Sequence, residues 1–331
     1  MKHARLDLAR SAELLPALSG PIGVFGQIEL ERLHGLMDWD LRCVSSSFAV
    51  SKVLSVVGLN VGQVLGAEIE HAVVFIPRAK AEARDLIAQA VQACPNGWII
   101  IDGQKTDGIE SIAKQITRDV PNIGSYSKGH GKTIWLRSAD ATHLIEWRAQ
   151  ASENKSGFVT APGVFSADDV DPASEMLIEH VPSNLSGQIA DLGAGWGFLS
   201  HRLLERCSGI AGLHLIEDSA VALECARSNI IDEKALFYWA DALSWTSSKR
   251  VDAVVMNPPF HTTRSVEPAL GIGFIQAAAR VLKPGGRLFM VANSHLPYEP
   301  ALKQNFEKYE LLARSSRFKV YCATRGSGKL I

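Results

Sequence analysis

Three blocks from the first half of the chain return in the second half, in the same order and at nearly the same distance, and this repeat restricts the fold more than any other feature. His71-Ala72-Val73-Val74-Phe75-Ile76-Pro77 recurs 181 residues later as Asp252-Ala253-Val254-Val255-Met256-Asn257-Pro258. Cys94-Pro95-Asn96-Gly97-Trp98-Ile99-Ile100-Ile101 recurs 189 residues later as Lys283-Pro284-Gly285-Gly286-Arg287-Leu288-Phe289-Met290. Gly131-Lys132-Thr133-Ile134-Trp135 resembles Arg317-Phe318-Lys319-Val320-Tyr321 at about the same shift. Each block carries a short apolar, β-branched or aromatic run beside turn residues, the wording of a buried strand. One fold is therefore used twice, with a boundary near residue 150: a first domain over 1–150 and a second over 151–331.

The second half alternates cleanly. Helices are expected at Ala173–Val181, Gly197–Cys207, Ser219–Asn229 and from about Val266 to Val281. Strands are expected at Gln188–Leu192, Leu213–Ile216, Leu236–Trp239, Val251–Met256 and Gly286–Val291. Strand–helix alternation specifies an α/β fold built on a mostly parallel, doubly wound sheet that takes ligands at the carboxyl ends of its strands. The closing segments Tyr309–Leu312 and Phe318–Cys322 add an antiparallel hairpin. In the first half the expected strands are Pro21–Gly26, Ala72–Pro77, Gly97–Asp102 and Thr133–Leu136, with a helix at Glu82–Cys94. Gln104–Thr117 reads as a polar stretch and Gly124–Gly131 as a Gly- and Ser-containing loop. Residues 151–163 are small and polar, a linker or an ordered lid loop.

A net charge of −1 excludes a strongly basic nucleic-acid binder but leaves room for local basic faces. The five cysteines stand at no metal or redox spacing, so no zinc site is implied and reduced, buried thiols are expected. No apolar run approaches the ~20 residues that span a bilayer, and a cytoplasmic protein without a membrane anchor is expected.

The chemistry concentrates at strand ends. Ile189-Ala190-Asp191-Leu192-Gly193-Ala194-Gly195-Trp196-Gly197 opens the second copy's first strand–helix junction. Glycines let the backbone pass close to a ligand, and the adjacent Asp191 carboxylate suits a cation on it. A dinucleotide fingerprint has its third glycine one place later. Glu217 closes the next strand, where an acid takes ribose hydroxyls, and Asp241 closes the third, near an adenine amine. The fourth strand stops at Asn257-Pro258-Pro259-Phe260-His261. Both prolines lock φ and lack an N–H, so this turn is stiff, rich in carbonyl acceptors and suited to holding a planar amine. In the first copy Ile76 stands where the second has Asn257, and no glycine turn is present, so that copy kept the scaffold and lost the chemistry.

Asp191-x-Gly193-x-Gly195-x-Gly197, followed by Asn257-Pro258-Pro259-Phe260, resembles the class I S-adenosylmethionine-dependent methyltransferases. More narrowly, Pro162-Gly163-Val164-Phe165-Ser166, Asn257–His261, Ala292-Asn293-Ser294-His295-Leu296-Pro297-Tyr298 and Arg317–Tyr321 resemble the bacterial small-subunit rRNA guanine-N2 methyltransferases across nearly the whole chain. Ala173 departs from the glycine common there. The resemblance implies two tandem seven-stranded, Rossmann-like domains with a degenerate first copy for RNA docking or folding support. It also implies a monomer that uses S-adenosylmethionine and no metal on 16S rRNA or the 30S subunit. Cofactor residues are then Asp191, Gly193, Ala194, Gly195, Glu217, Asp241 and Asn257, and catalysis falls to Asn257, Pro258, Pro259 and Phe260. Phe165, His261 and Arg264 are expected to contact the substrate, together with Lys128, His130 and Lys132. A second basic stretch runs through Lys303, Lys308, Arg314, Arg317, Lys319, Arg325 and Lys329. Rival readings are guanine-N2 methylation of large-subunit rRNA, N5-methylation of a protein glutamine, and a non-catalytic RNA-binding assembly factor. Phe260 favours a base over an amide, because glutamine methylators of this type carry Tyr there.

Overall fold

His71–Phe75 and its repeat Val251–Met256 are central strands, and their neighbours confirm one design in two copies. The computed structural model describes residues 5–259 and 268–327, and the chain divides into units of residues 1–150 and 151–331. Unit 1 runs α1 (Arg5–Ser11), β1 (Ile22–Gly26), α2 (Leu30–Leu33), β2 (Leu41–Val44), α3 (Phe48–Val56), β3 (Asn60–Gly62), β4 (His71–Phe75), α4 (Lys80–Ala93), β5 (Trp98–Gln104), α5 (Ile109–Asp119), β6 (Gly124–Lys128) and β7 (Gly131–Arg137). Unit 2 begins with a two-stranded hairpin, β8 (Ser152–Glu153) and β9 (Val159–Thr160). It continues α6 (Pro172–His180), β10 (Gly187–Leu192), α7 (Phe198–Arg206), β11 (Ile210–Glu217), α8 (Ala220–Asn229), β12 (Ala235–Trp239), β13 (Val251–Met256), α9 (Pro268–Val281), β14 (Leu282–Asn293), α10 (Glu299–Asn305), β15 (Lys308–Arg314) and β16 (Phe318–Thr324).

The first sheet has the order β3-β2-β1-β4-β5-β7-β6 and the second β12-β11-β10-β13-β14-β16-β15, the same permutation twice. Five strands of each are parallel, and the last two join antiparallel through β7 and β16. The three sequence blocks thus fall on β4/β13, β5/β14 and β7/β16. Helices cover both faces, which is why the central strands read as continuous apolar runs. In β13, Ala253 and Val255 pack into a core with Leu177 and Leu203, while Val254 and Met256 join the opposite core with Phe274 and Ile275.

Register shows what the first copy replaced. Phe25 pairs with Val74 as Asp191 pairs with Val255, so Phe25 takes the place of the carboxylate. Ser47 and Ser219 are both N-caps of the helix that follows the second strand, with side chains accepting from Val50 and Ala222, so Ser45 stands for Glu217. Ile76, the counterpart of Asn257, is fully buried.

Several elements depart from the sequence reading. The stretch Gly124–Gly131, read as a loop, is strand β6 and a tight turn in which Gly129 and His130 take positive φ. The polar stretch after Gln104 holds α5, whose Ile109, Ile112, Ala113 and Ile116 form a narrow buried stripe among charged residues. Strands β2 and β3 have four and three residues, too short for any periodicity to announce them. Ala173 lies buried in the first turn of α6, a helical position where alanine is the better former than glycine.

Candidate active site

The carboxyl ends of β10 and β13 open on a cleft lined by Phe165, Ser174, Gly193, Gly195, Trp196 and Asn257, among others. It encloses roughly 400 Å³ counting its open mouth. One wall is the glycine turn. Gly193 and Gly195 have φ of +76° and +57°, conformations that only glycine adopts without strain. The Gly193 and Ala194 N–H groups donate to the Ile216 carbonyl at 2.8 and 3.1 Å, and Gly197 N–H donates to Ala194 at 3.0 Å. Gly195 N–H donates to Glu217 Oε2 at 2.8 Å. These donors are spent inside the protein, so the turn is no diphosphate cradle. It is a bare backbone ledge, and a Cβ on Gly195 would meet no atom within 4 Å. Gly197 serves packing instead, because a Cβ there would press on Ile230 and Ala226.

Asp191 lies beneath the ledge, completely buried. Its Oδ2 accepts from Ser200 Oγ at 2.7 Å, while Oδ1 has no hydrogen-bond partner among the described residues. Burial, opposed by the Ser200 bond and reinforced by the charge of Glu217, pushes this carboxyl up to about 7. Glu217, half-buried, is also raised, chiefly by burial, although the Ser219 and Gly195 N–H groups hold its two oxygens at 2.8 Å. An orphaned buried oxygen beneath an open ledge fits a cationic ligand. Asp241 lies outside the cleft lining; its Oδ1 accepts from Leu243 N–H at 2.9 Å and caps a turn, leaving its second oxygen free of any such bond among the described residues.

The opposite wall is the end of β13. Pro258 is buried, Pro259 exposed and Asn257 half-buried. Asn257 Nδ2 donates to Asp171 Oδ2 at 2.8 Å and to Ser174 Oγ at 2.9 Å. Phe165 is 58% exposed, an aromatic ring left in solvent at the cleft's edge rather than filling a core. Its carbonyl accepts from Trp196 Nε1 at 2.9 Å, which ties the Phe165 loop to the glycine turn. Asn229 adds a second tie, accepting from Val159 N–H and donating to the carbonyls of Val159 and Trp196 at 2.7–2.9 Å. Residues 151–163 are thus an ordered flap and not a linker.

The cleft therefore brings together Phe165, Gly193, Ala194, Gly195 and Asn257, with Asp191 and Glu217 supporting the ledge. Phe260, His261 and Arg264 lie outside the described residues, as does Lys329. Lys128 and His130 are exposed in unit 1 at the β6–β7 turn, and Lys132 is paired with Glu110 at 2.6 Å. Arg325 is buried and donates to the carbonyls of Arg280 and Leu282, which corrects its reading as an RNA contact. Lys319 is held by Glu299 at 2.7 Å. Sequence reasoning did not single out Asp171 and Ser174: Asp-Pro-x-Ser before an apolar run is an ordinary N-cap pattern, and nothing in it points across to Asn257.

The family described as the methyltransferase small domain matches residues 155–322, about half of the chain. A protein of Alteromonas mediterranea named ribosomal RNA small subunit methyltransferase C is 31% identical over 89% of both chains. The chain belongs to the ribosomal RNA small subunit methyltransferase C family. A second member, from Hahella chejuensis, is 30% identical over 78% of each chain. Among solved structures, a T. thermophilus 16S rRNA N2 G1207 methyltransferase in complex with AdoMet and guanosine superposes with a TM-score of 0.80. It is 25% identical and covers 97% of this chain and 91% of its own. Family membership, the two seven-stranded sheets and the glycine ledge make this a class I methyltransferase with two copies of the fold.

Proposed function

We propose that this enzyme transfers a methyl group from S-adenosylmethionine to the exocyclic N2 amine of a guanine in 16S rRNA of the small subunit. The observation that carries the reading is the cleft itself, where a glycine ledge with its N–H groups bonded inside the protein, over the buried Asp191 carboxyl, faces the Asn257 amide. The names of the family members and the guanosine in the related structure supply the substrate class. S-adenosylmethionine supplies the electrophilic methyl sulfonium. In this reading Gly193, Ala194 and Gly195 shape the cofactor's seat, Glu217 and Asp241 hold its hydroxyl and amine groups, and Asp191 offsets its positive charge from below. Asn257 Oδ1 and the Pro258 carbonyl accept from the guanine 2-amino group, Pro259 stiffens the turn, and Phe165 and Phe260 stack on the base. A guanine amine becomes acidic only as it is alkylated, so acceptors that orient its lone pair suffice and no strong base is needed. In the same reading His261 serves the base, and Arg264, Lys128, His130 and Lys132 contact phosphates. Unit 1 carries no cofactor site and serves RNA docking or folding support; the enzyme is a cytoplasmic monomer without a metal.

Tritium transfer from S-adenosylmethionine to naked rRNA, 30S and 50S particles tests the reading, with digestion to nucleosides afterwards. N2-methylguanosine in 16S rRNA is expected; label in 23S rRNA or in protein would overturn it.

The raised carboxyls give a pH signature. Asp191 and Glu217 hold protons in the folded protein that the unfolded chain has lost. For Asp191 this contribution to stability is therefore fully present below its ordinary value of 3.8 and is lost as pH rises through about 7, and Glu217, raised in the same direction, adds to it with the same sign. A cationic ligand favours the ionised forms, so cofactor binding is expected to release protons below about pH 7, and affinity to weaken as pH falls. Titration calorimetry at pH 6 in buffers of unlike ionisation enthalpy reads this directly. A binding enthalpy independent of buffer would refute it.

A further inference from the structure

We infer that Asp171 and Ser174 are positioning residues: by accepting both N–H groups of Asn257, they hold its amide with the carbonyl oxygen as the face presented to substrate. This rests on the proposed reading of Asn257 as the acceptor for the target amine. An asparagine amide is nearly symmetric in shape, and only its partners decide which end faces where. Here the decision is unambiguous. Asp171 is a carboxylate and accepts only, so the group at 2.8 Å from its Oδ2 must be the NH2. The second N–H is taken by Ser174 Oγ at 2.9 Å. Both donors of Asn257 are spent, and Oδ1 has no partner among the described residues. Had the amide been free to turn, its flipped form would set NH2 against NH2 and repel a guanine amine.

The holders are themselves held. Asp171 is the N-cap of α6, and the same Oδ2 that accepts from Asn257 accepts from Ser174 N–H at 2.9 Å. Pro172 fixes φ at the first helical position, and Ser174 is only 7% exposed with Leu177 and Ile178 of the same helix in the core. The N-terminus of α6 thus works as a jig, its register set by packing and its two oxygens set by the cap. The first copy holds Ile76 at the asparagine position and needs no such jig.

The cap and the hold can be separated. Asp171→Ser keeps a good N-cap but is too short to reach Asn257. Ser174→Ala removes the second acceptor and leaves the backbone N–H bond intact. Asp171→Asn can keep its oxygen on both donors and serves as the conservative variant. The double variant Asp171→Ser/Ser174→Ala is expected to lose about a hundredfold in kcat, with the Kd for S-adenosylmethionine within about threefold and Tm nearly unchanged. Asp171→Asn is expected to restore most of kcat. A double variant with kcat near wild type would overturn the inference. So would a loss confined to Tm and cofactor binding, which marks a purely structural role. Independently of any substrate, the Asn257 side-chain amide in 15N-labelled wild-type protein is expected to give two resolved, slowly exchanging proton resonances that the double variant loses. Protected resonances in an enzyme that leaves guanine unmethylated would uphold the jig and refute the substrate reading; unprotected resonances would refute the jig.

Discussion

Asn257→Ala is expected to lower kcat about a thousandfold while leaving the Kd for S-adenosylmethionine within about threefold. The split follows from where the residue stands. Asn257 closes β13, and its oxygen is the part of the side chain left without a partner among the described residues. The seat proposed for the cofactor, by contrast, is the backbone of Gly193–Gly195 with Glu217 behind it, on the other wall of the cleft. Truncation removes the acceptor that aims the amine and leaves the ledge in place. The stability cost should be small, on the order of 1 kcal/mol, since the residue is half-buried and Asp171 keeps its bond from Ser174 N–H. Single-turnover transfer with saturating cofactor, beside calorimetric titration of the cofactor, separates the terms. Near-normal turnover would remove Asn257 from catalysis, and an equal collapse of cofactor affinity would make it a binding residue instead.

The features that were legible in the sequence are those whose physics is local or repeated. Val251–Met256 announces a strand because every side chain but Asp252 is buried, and the strand ends where two prolines remove its donors. The repeat placed β4, β5 and β7 on β13, β14 and β16, and both sheets keep that order. What was not legible is long-range. The bond between Asn257 and Asp171 joins residues 86 apart, and an N-cap looks the same in sequence whether or not its second lone pair is used. Asp191 reads as a ligand in its motif, and folding puts it wholly under the ledge, a depth that the motif does not reveal. Charge runs misled in the same way. Arg325 sits in the C-terminal basic stretch but spends its guanidinium on buried carbonyls.

A second large effect is expected in unit 1, where Asp102→Ala should cost about 3–5 kcal/mol of stability. Asp102 lies in β5 with a side chain 6% exposed, between two guanidinium groups that are 3% and 7% exposed. Arg5 Nε donates to Oδ2 at 2.8 Å and its Nη2 to Oδ1 at 2.9 Å, a bidentate pair. Arg32 Nη2 donates to Oδ1 at 3.1 Å, and Thr133 Oγ1 to Oδ2 at 2.6 Å. Arg5 also donates to the carbonyls of Gly103 and Lys128, and Arg32 to that of Gln27 while lying 4.5 Å over the Phe75 ring. The cluster therefore sits at the carboxyl ends of β1, β4 and β5, the edge that in unit 2 carries the glycine ledge and Asn257. Removing the one anion strands two buried cations, whereas removing the whole group does not. Arg5→Met/Arg32→Met/Asp102→Leu is accordingly expected to recover most of what Asp102→Ala loses, since apolar side chains of similar bulk can replace a buried ion cluster at little cost. Urea denaturation of the full chain, followed by a probe in unit 1, measures both. A small effect of Asp102→Ala would mean that water reaches this edge and that the first copy keeps an open site. The expected large loss, reversed by the triple replacement, would mean that its ligand edge has been converted into core.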